Sequence, residues 1–107
     1  MRNLLSSLRE KKRYLAYKLI SENKLDPERI KQAINAGFIE LFGQLGLSKI
    51  NLVHIETEKD KGIIRVNNKY VDYAKASMAL IDKINDIKVL IRTVNVSGIL
   101  KKAKTGG

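Results

Sequence analysis

No cysteine and no tryptophan occur in this 107-residue sequence, which has one proline, Pro27, and one histidine, His54. The absence of cysteine excludes a disulfide framework, a cysteine-ligated zinc or iron–sulfur site and a thiol nucleophile. A lone strand histidine with no carboxylate placed beside it is a weak candidate for a general base, so we predict a structural role for His54.

Long apolar runs are absent as well. No uninterrupted apolar stretch approaches the ~20 residues that cross a bilayer, and the first residues have too short an apolar stretch for a signal peptide. We therefore expect no membrane partner and a cytoplasmic location. A hydrophobic content of 44% and a charged content of 30% are typical of a globular chain, and the length suits one domain.

Positive charge is concentrated at the two ends of the chain, whose net charge is +10. Residues 1–18 carry +5 and residues 99–107 carry +3, whereas everything between them contributes +2. Concentrated positive ends are typical of proteins that neutralise a polyanion, although such ends can also serve solubility alone. The predicted RNA-binding residues are Arg2, Arg9, Lys11, Lys12, Arg13, Lys18, Lys101, Lys102 and Lys104.

The first of two amphipathic segments predicts a helix that begins at Asp26-Pro27. Aspartate caps a helix, and proline fits the first turn, where an amide proton would have no partner. Apolar residues follow at three-and-four spacing up to Leu41 and Leu45, so this stripe is expected to face the core. Gly46 is the predicted position of helix closure.

The remaining pattern predicts a second helix and four strands. A tight turn over residues 59–62 joins the middle strands, with Gly62 able to take a positive φ. Asn85-Asp86 is expected to break the second helix. The predicted ranges are 12–21, 51–58, 63–67 and 88–97 for the strands and 69–84 for the second helix.

The order strand, helix, strand, strand, helix, strand predicts an α+β fold of the ferredoxin-like (RNA-recognition-like) βαββαβ type. In this sandwich a four-stranded antiparallel sheet carries two main helices on one face and leaves the other face open. We predict a basic N-terminal arm at 1–11, a single ferredoxin-like domain at 12–98 and a basic C-terminal tail at 99–107.

The open sheet face is predicted by assigning the more apolar side of each strand to the core. Cations and aliphatic residues remain on the open face, together with His54. The third strand has no aromatic residue there, so base stacking is not expected, whereas docking of a protein partner is. The predicted partner-binding residues are Tyr14, Leu52, Ile63, Arg65, Leu90 and Arg92.

The sequence has no recognisable constellation of catalytic or metal-ligating residues. Gly43 and Gly46 fall at a helix end, where carbonyls rather than amide protons lack partners, so they do not form a phosphate-binding loop. Glu56, Glu58 and Asp60 alternate beside a turn, which is more typical of a solvated edge than of a magnesium site. We predict no catalytic residue, no metal site and no cofactor bound by the protein.

Three stretches taken together resemble the archaeal ribonuclease P protein component 2 family. They are Leu8–Lys18 (LREKKRYLAYK), Gly62–Val66 (GIIRV) and Ile91–Lys102 (IRTVNVSGILKK). Each alone is a weak signal, but their order along the chain is fairly specific. The resemblance extends from about Leu8 to Lys102.

The resemblance implies a ferredoxin-like sandwich and a subunit of ribonuclease P, the endoribonuclease that removes 5′ leaders from precursor tRNA. It implies that the RNA subunit performs the cleavage with magnesium, and that the protein supports this RNA. The implied protein partner is ribonuclease P protein component 3, with two such pairs joining into a heterotetramer.

Two other classes of function remain open at this point. One is a ferredoxin-like protein-interaction module whose basic ends only aid solubility. The other is a small autonomous hydrolase, which the residues disfavour because residues 21–24 contain neither the glycine nor the arginine of a phosphate-cradling loop after the first strand. Binding to structured RNA in moderate salt separates the interaction module from an RNA-binding subunit.

Overall fold

The computed structural model describes residues 11–105, which form one antiparallel sheet with a helix layer on one face and a short helix on the other. The strand order across the sheet is β2-β3-β1-β5-β4. The strands are β1 (Lys12–Ser21), β2 (Val53–Thr57), β3 (Lys61–Asn67), β4 (Lys83–Ile84) and β5 (Ile87–Ser97). The helices are α1 (Pro27–Ile50), α2 (Val71–Ala79) and α3 (Leu100–Thr105), and a 3₁₀ turn over Asn68–Tyr70 precedes α2.

Helix α1 begins where the sequence predicts, because its start depends on local chemistry. The Asp26 carboxylate accepts a hydrogen bond from the Glu28 amide at 3.2 Å, with Pro27 in the first turn. The predicted end near Gly46 is wrong. The helix kinks at Gly43, which has a φ of 72°, and then continues to Ile50, whose buried side chain draws the last turns onto the core.

The second half of the chain forms a hairpin that the sequence reading missed. Helix α2 ends at Ala79 rather than near residue 84, and β4 then pairs with β5. Asn85 and Asp86 have φ values of 52° and 66°, and two consecutive positive φ angles are typical of a two-residue hairpin turn. The sheet therefore has five strands instead of the predicted four, and burial of Ile84 against the core holds the extra strand in place.

The main core lies between the sheet and the layer formed by α1 and α2. Central strand β1 contributes alternate residues to it, and the cross-strand register places Leu15 beside Ile64 and Leu19 beside Ile91. Helix α1 adds Phe38 and other residues at helical spacing. The largest fully buried side chains are Tyr17, Phe38, Leu15, Ile30, Ile34, Ile50, Ile64, Met78 and Ile91.

The opposite sheet face is not fully open, because α3 packs on its centre. Asn95 of β5 donates a side-chain hydrogen bond to the Ala103 carbonyl at 3.2 Å. Ala16 and Ile63 are cross-strand neighbours on this face, and both are buried together with Ala103. Part of the predicted C-terminal tail is thus helical, while the predicted domain boundaries themselves stay predictions.

The side chains of strand β2 point to the opposite sheet faces from those that we expected from the sequence. Val53 pairs with Arg65, and His54 pairs with Ile64, so His54 points toward the helix layer and not toward α3. Leu52 likewise packs against the main core. The rule that the more apolar side of a strand faces the core was wrong for β2, because β2 is an edge strand with an irregular register between His54 and Glu56.

Gly62 is required for packing and not for a positive φ. It lies in β3 directly opposite Tyr17, and Gly43 is the glycine with a positive φ in the part of the chain that the structure describes. A Cβ atom on Gly62 would contact the Tyr17 hydroxyl, and would lie 2.5 Å from Tyr17 Cζ and 2.8 Å from the Glu56 carbonyl oxygen. The absence of a side chain is what allows the buried tyrosine to lie across β3.

Gly62→Ala is therefore expected to lower the free energy of unfolding by about 1–3 kcal/mol, because the added methyl group meets atoms that cannot easily move. Urea unfolding followed by circular dichroism measures this loss. The matched control is Gly98→Ala, where the new Cβ meets only the far end of the Arg13 side chain, which can shift more easily than a buried ring or backbone. Equal losses in the two variants would contradict this explanation.

Candidate nucleic-acid interface

The predicted N-terminal cations do not all lie on one surface. Arg2 and Arg9 are outside the described residues, and Lys11 is exposed just before β1. Lys12 and Arg13 are consecutive, half-buried residues of β1, so their side chains leave the sheet on opposite faces. The Arg13 guanidinium donates to the Lys12 carbonyl at 3.2 Å.

Lys18 lies at the centre of a line of three cations. In the register of the sheet its neighbour on β3 is Lys61 and its neighbour on β5 is Arg92. All three are exposed, on the face that carries α3, and we call them the cation row. Lys61 is 3.9 Å from the Glu58 carboxylate, and both of these side chains are more than half exposed. Sequence reading missed Lys61 and assigned Arg92 to a protein partner, since only strand register shows that they are neighbours of Lys18.

Helix α3, which carries Lys101, packs on the same sheet face as the cation row. Lys101 is exposed on α3, whereas the side chains of Lys102 and Lys104 lie outside what the structure describes. Ala103 lines a cavity of about 460 Å³ together with Lys18 and Lys61, and the carboxylates of Glu56, Glu58 and Asp60 border the same cavity. Helix α3 therefore brings a basic segment beside the cation row.

The predicted partner-binding residues are dispersed. Tyr14 and Arg65 are half-buried cross-strand neighbours on the α3 face. Ile63 is only 5% exposed beneath α3, and Leu52 lies on the helix side. Leu90 and Arg92 are exposed on β5, on the other side of β1 from Arg65. These six residues do not form one accessible surface.

The outer side of the helix layer carries large exposed hydrophobic residues that the sequence reading did not identify as a surface. We call Leu41, Leu45, Tyr73 and Leu80 the helix patch, within which Leu45 is 73% and Leu80 65% exposed. Leu41 and Leu80 line a groove of about 450 Å³ between α1 and α2. The stripe prediction placed Leu41 and Leu45 in the core, but both are exposed, Leu41 just before the kink at Gly43 and Leu45 just after it.

Two ionisable side chains, His54 and Tyr17, are largely buried in or near the core. His54 Nε2 is 2.9 Å from the Asn35 side-chain oxygen. Burial lowers the pKa of His54, and nearby Lys31 lowers it further, while Glu28 opposes the change. Burial raises the pKa of Tyr17 to about 12. Both groups are therefore neutral near pH 7.

Within residues 11–105, no group of three or more His, Cys, Asp or Glu side chains is arranged to hold a metal ion. Among the helices of that same range, none combines the length and the apolar character that crossing a bilayer requires.

The lowered pKa of His54 predicts that the protein becomes less stable as the pH falls. Because its pKa is lower in the folded protein than its ordinary value of 6.5, the unfolded chain binds more protons below that pH. The free energy of unfolding is therefore expected to fall as the pH drops from about 7.5 to about 5.5. His54→Gln removes the titration, so its urea-unfolding stability should change less over this range. An equally steep decline in the variant would show that other groups cause the effect.

Comparison with known proteins gives one family. The Rpp14/Pop5 family matches residues 13–106. Three similar relatives are each named ribonuclease P protein component 2. The protein of Pyrococcus furiosus is 37% identical over 100 residues, covering 92% of this chain and 83% of the relative. That of Methanocaldococcus jannaschii is 36% identical over 104 residues, covering 97% and 78%. That of Methanosarcina mazei is 35% identical over 103 residues, covering 96% and 89%.

A chain of the cryo-EM structure of yeast ribonuclease MRP has a similar fold. The TM-score is 0.69 at 12% sequence identity, and the match covers 91% of this chain and 86% of that chain. At this identity the likeness supports the α+β architecture and nothing more specific.

Proposed function

Since the chain belongs to the Rpp14/Pop5 family, we propose that it is a protein subunit of ribonuclease P, the enzyme that cleaves the 5′ leader from precursor tRNA. The observation that carries this proposal is the similarity to archaeal component 2 proteins over more than nine-tenths of the chain. The cytoplasmic location expected from the sequence stays a prediction.

The role proposed for this chain is to bind RNA and not to cleave it. A folded RNA packs phosphates close together, and their mutual repulsion opposes the active arrangement. Lysine and arginine side chains lower this repulsion and release counterions. The exposed Lys11, the cation row and Lys101 supply such charges. We assign the chemistry to the RNA subunit, with magnesium bound there and no cofactor held by the protein.

The environment of His54 supports a non-catalytic role. A general base needs an accessible proton acceptor with a partner that orients it. His54 instead faces the helix layer and contacts the neutral side chain of Asn35.

The proposed protein partner is ribonuclease P protein component 3, in a heterotetramer of two pairs. We place its contact on the helix patch instead of the sheet residues expected from the sequence. Ile63 is covered by α3, whereas Leu41 and Leu80 are large, exposed and line the groove between α1 and α2. Exposed apolar groups of this size next to a groove are typical of protein interfaces.

Reconstitution tests the proposed function. Addition of this chain and a component 3 protein to a catalytic ribonuclease P RNA is expected to increase accurate 5′ cleavage of precursor tRNA, because bound cations stabilise the active RNA. Gel analysis of the cleaved leader measures the rate. The isolated chain without RNA is the control and should give no cleavage. Cleavage by the protein alone, or no effect of the protein on the RNA, would contradict the proposal.

Leu45→Asp and Leu80→Asp are each expected to weaken binding of component 3 by about tenfold or more, because each places a charge in an apolar contact. Isothermal titration calorimetry measures the affinity. Leu90→Asp is the matched control, since Leu90 is similarly exposed on the opposite side of the protein. Loss of binding in Leu90→Asp alone would move the interface back to the sheet.

A further inference from the structure

The cation row belongs to a larger group of exposed bases on one side of the sheet. Lys88 lies on the same face of β5 as Arg92, because buried Val89 and Ile91 alternate with them. Lys88 is paired in turn with Lys83 of β4. We call the five residues Lys18, Lys61, Lys83, Lys88 and Arg92 the cationic patch, and all five are exposed.

Three like-charged pairs are direct cross-strand neighbours in this patch: Lys18–Lys61, Lys18–Arg92 and Lys83–Lys88. Residues opposite each other have Cβ atoms about 4.5–5.5 Å apart, and like charges at this distance destabilise a sheet. Within residues 11–105, Lys61 is the member of the patch that forms an ion pair, and its exposed contact with Glu58 is weak. Glu56, Glu58 and Asp60 border the Lys18–Lys61 end of the patch, so the repulsion that a bound anion would relieve lies toward Arg92, Lys83 and Lys88.

The dimensions of the cationic patch fit a polyanion better than a small anion. Neighbouring strands lie about 4.8 Å apart, so the cation row spans about 10 Å across three strands. Lys88 and Arg92 are separated by four residues, which is about 13 Å along β5. The charges are thus spread over a distance that requires several phosphates.

The centre of the patch is aliphatic. Ile20 and Leu90 are cross-strand neighbours between the cation row and the Lys83–Lys88 pair, and they are 56% and 50% exposed. With no aromatic ring among these residues, base stacking is not available to them. A protein docking on Ile20 and Leu90 would have to accommodate the surrounding cations, whereas an RNA backbone would pair with those cations and place sugar or base edges on the aliphatic pair.

We propose that the cationic patch binds the phosphate backbone of RNA, so that the sheet face contributes to RNA binding in addition to the chain ends. This inference rests on the proposed function of the chain as an RNA-binding subunit. Helix α3 supports it, because exposed Lys101 extends the positive charge on the same sheet face. Under this proposal Leu90 and Arg92, which the sequence suggests for a protein partner, contact RNA instead. Lys61, Lys83 and Lys88 join the RNA-binding residues expected from the sequence.

The test compares two triple variants that lose the same charge. The patch variant is Lys18→Ala, Lys88→Ala and Arg92→Ala in the full chain. The control is Lys49→Ala, Lys69→Ala and Lys75→Ala, which removes three exposed lysines from the helix layer. Affinity for catalytic ribonuclease P RNA is measured for both by fluorescence anisotropy over a salt series, after circular dichroism has established the fold.

If about five cations contact phosphates, the wild-type plot of log affinity against log salt should have a slope of about −3.5 to −4.5. Loss of three contacts should make the slope of the patch variant shallower by about 2 to 2.7 and lower the affinity by about tenfold or more. The control should keep the wild-type slope.

Equal losses of RNA affinity in the two variants would show that only net charge matters, and would overturn the proposal that the cationic patch binds RNA. A patch variant that keeps the wild-type salt slope would also overturn the proposal. So would a patch variant that retains RNA binding but loses binding of component 3. A wild-type chain that does not bind RNA would instead contradict the proposed function itself.

A second measurement does not require RNA. Lys18→Gln removes the shared member of two like-charged pairs, so it should raise the Tm of the free protein at low salt. The gain should shrink as salt screens the repulsion. A Tm that falls on this substitution at every salt concentration would show that the row is not repulsive and would count against the inference.

Discussion

The antiparallel pairing of β1 with both β3 and β5 is the constraint on which the rest of the structure depends. Because side chains alternate along a strand, this one central strand sorts its residues between two environments. Leu15 and Leu19 enter the core under α1 and α2, and Ala16 and Lys18 point to the side of α3. A shift of one residue in register would exchange these two sets, burying lysine and exposing leucine. The burial of the core therefore also determines where the cations lie.

A sheet covered on both sides has consequences for how the protein meets its partners. In a ferredoxin-like sandwich with an open face, that face is the natural surface for both RNA and protein. Here α3 occupies its centre and buries Ile63, which leaves a basic region over β1, β5 and β4. The helix layer offers the apolar counterpart in Leu45 and Leu80. Our proposals for RNA and for the protein partner thus fall on opposite sides of one small domain, an arrangement that would permit both to bind at once.

The chemistry of the sheet explains how such a protein could hold RNA without aromatic stacking. In the proposed complex its charges would meet phosphates, which are present in every sequence, so they would provide affinity and position without reading bases. Maintaining like charges side by side is expected to reduce the stability of the free protein, as is common where a surface is organised for a ligand. The family assignment, to Rpp14/Pop5, is consistent with this proposed role.

Local chemistry made part of the structure predictable from sequence. The start of α1 follows from Asp26 and Pro27, which interact with their own neighbours, and the buried side of β1 follows from alternation. The family resemblance is also confirmed, although Gly62 serves Tyr17 packing instead of a turn. Other features were decided only in three dimensions: the hairpin at Asn85-Asp86, the inward side of His54, the docking of α3 and the alignment of Lys61, Lys18 and Arg92. Each depends on which distant residues become neighbours when strands pair, and that register is set by packing of the whole core, which no short stretch of sequence contains.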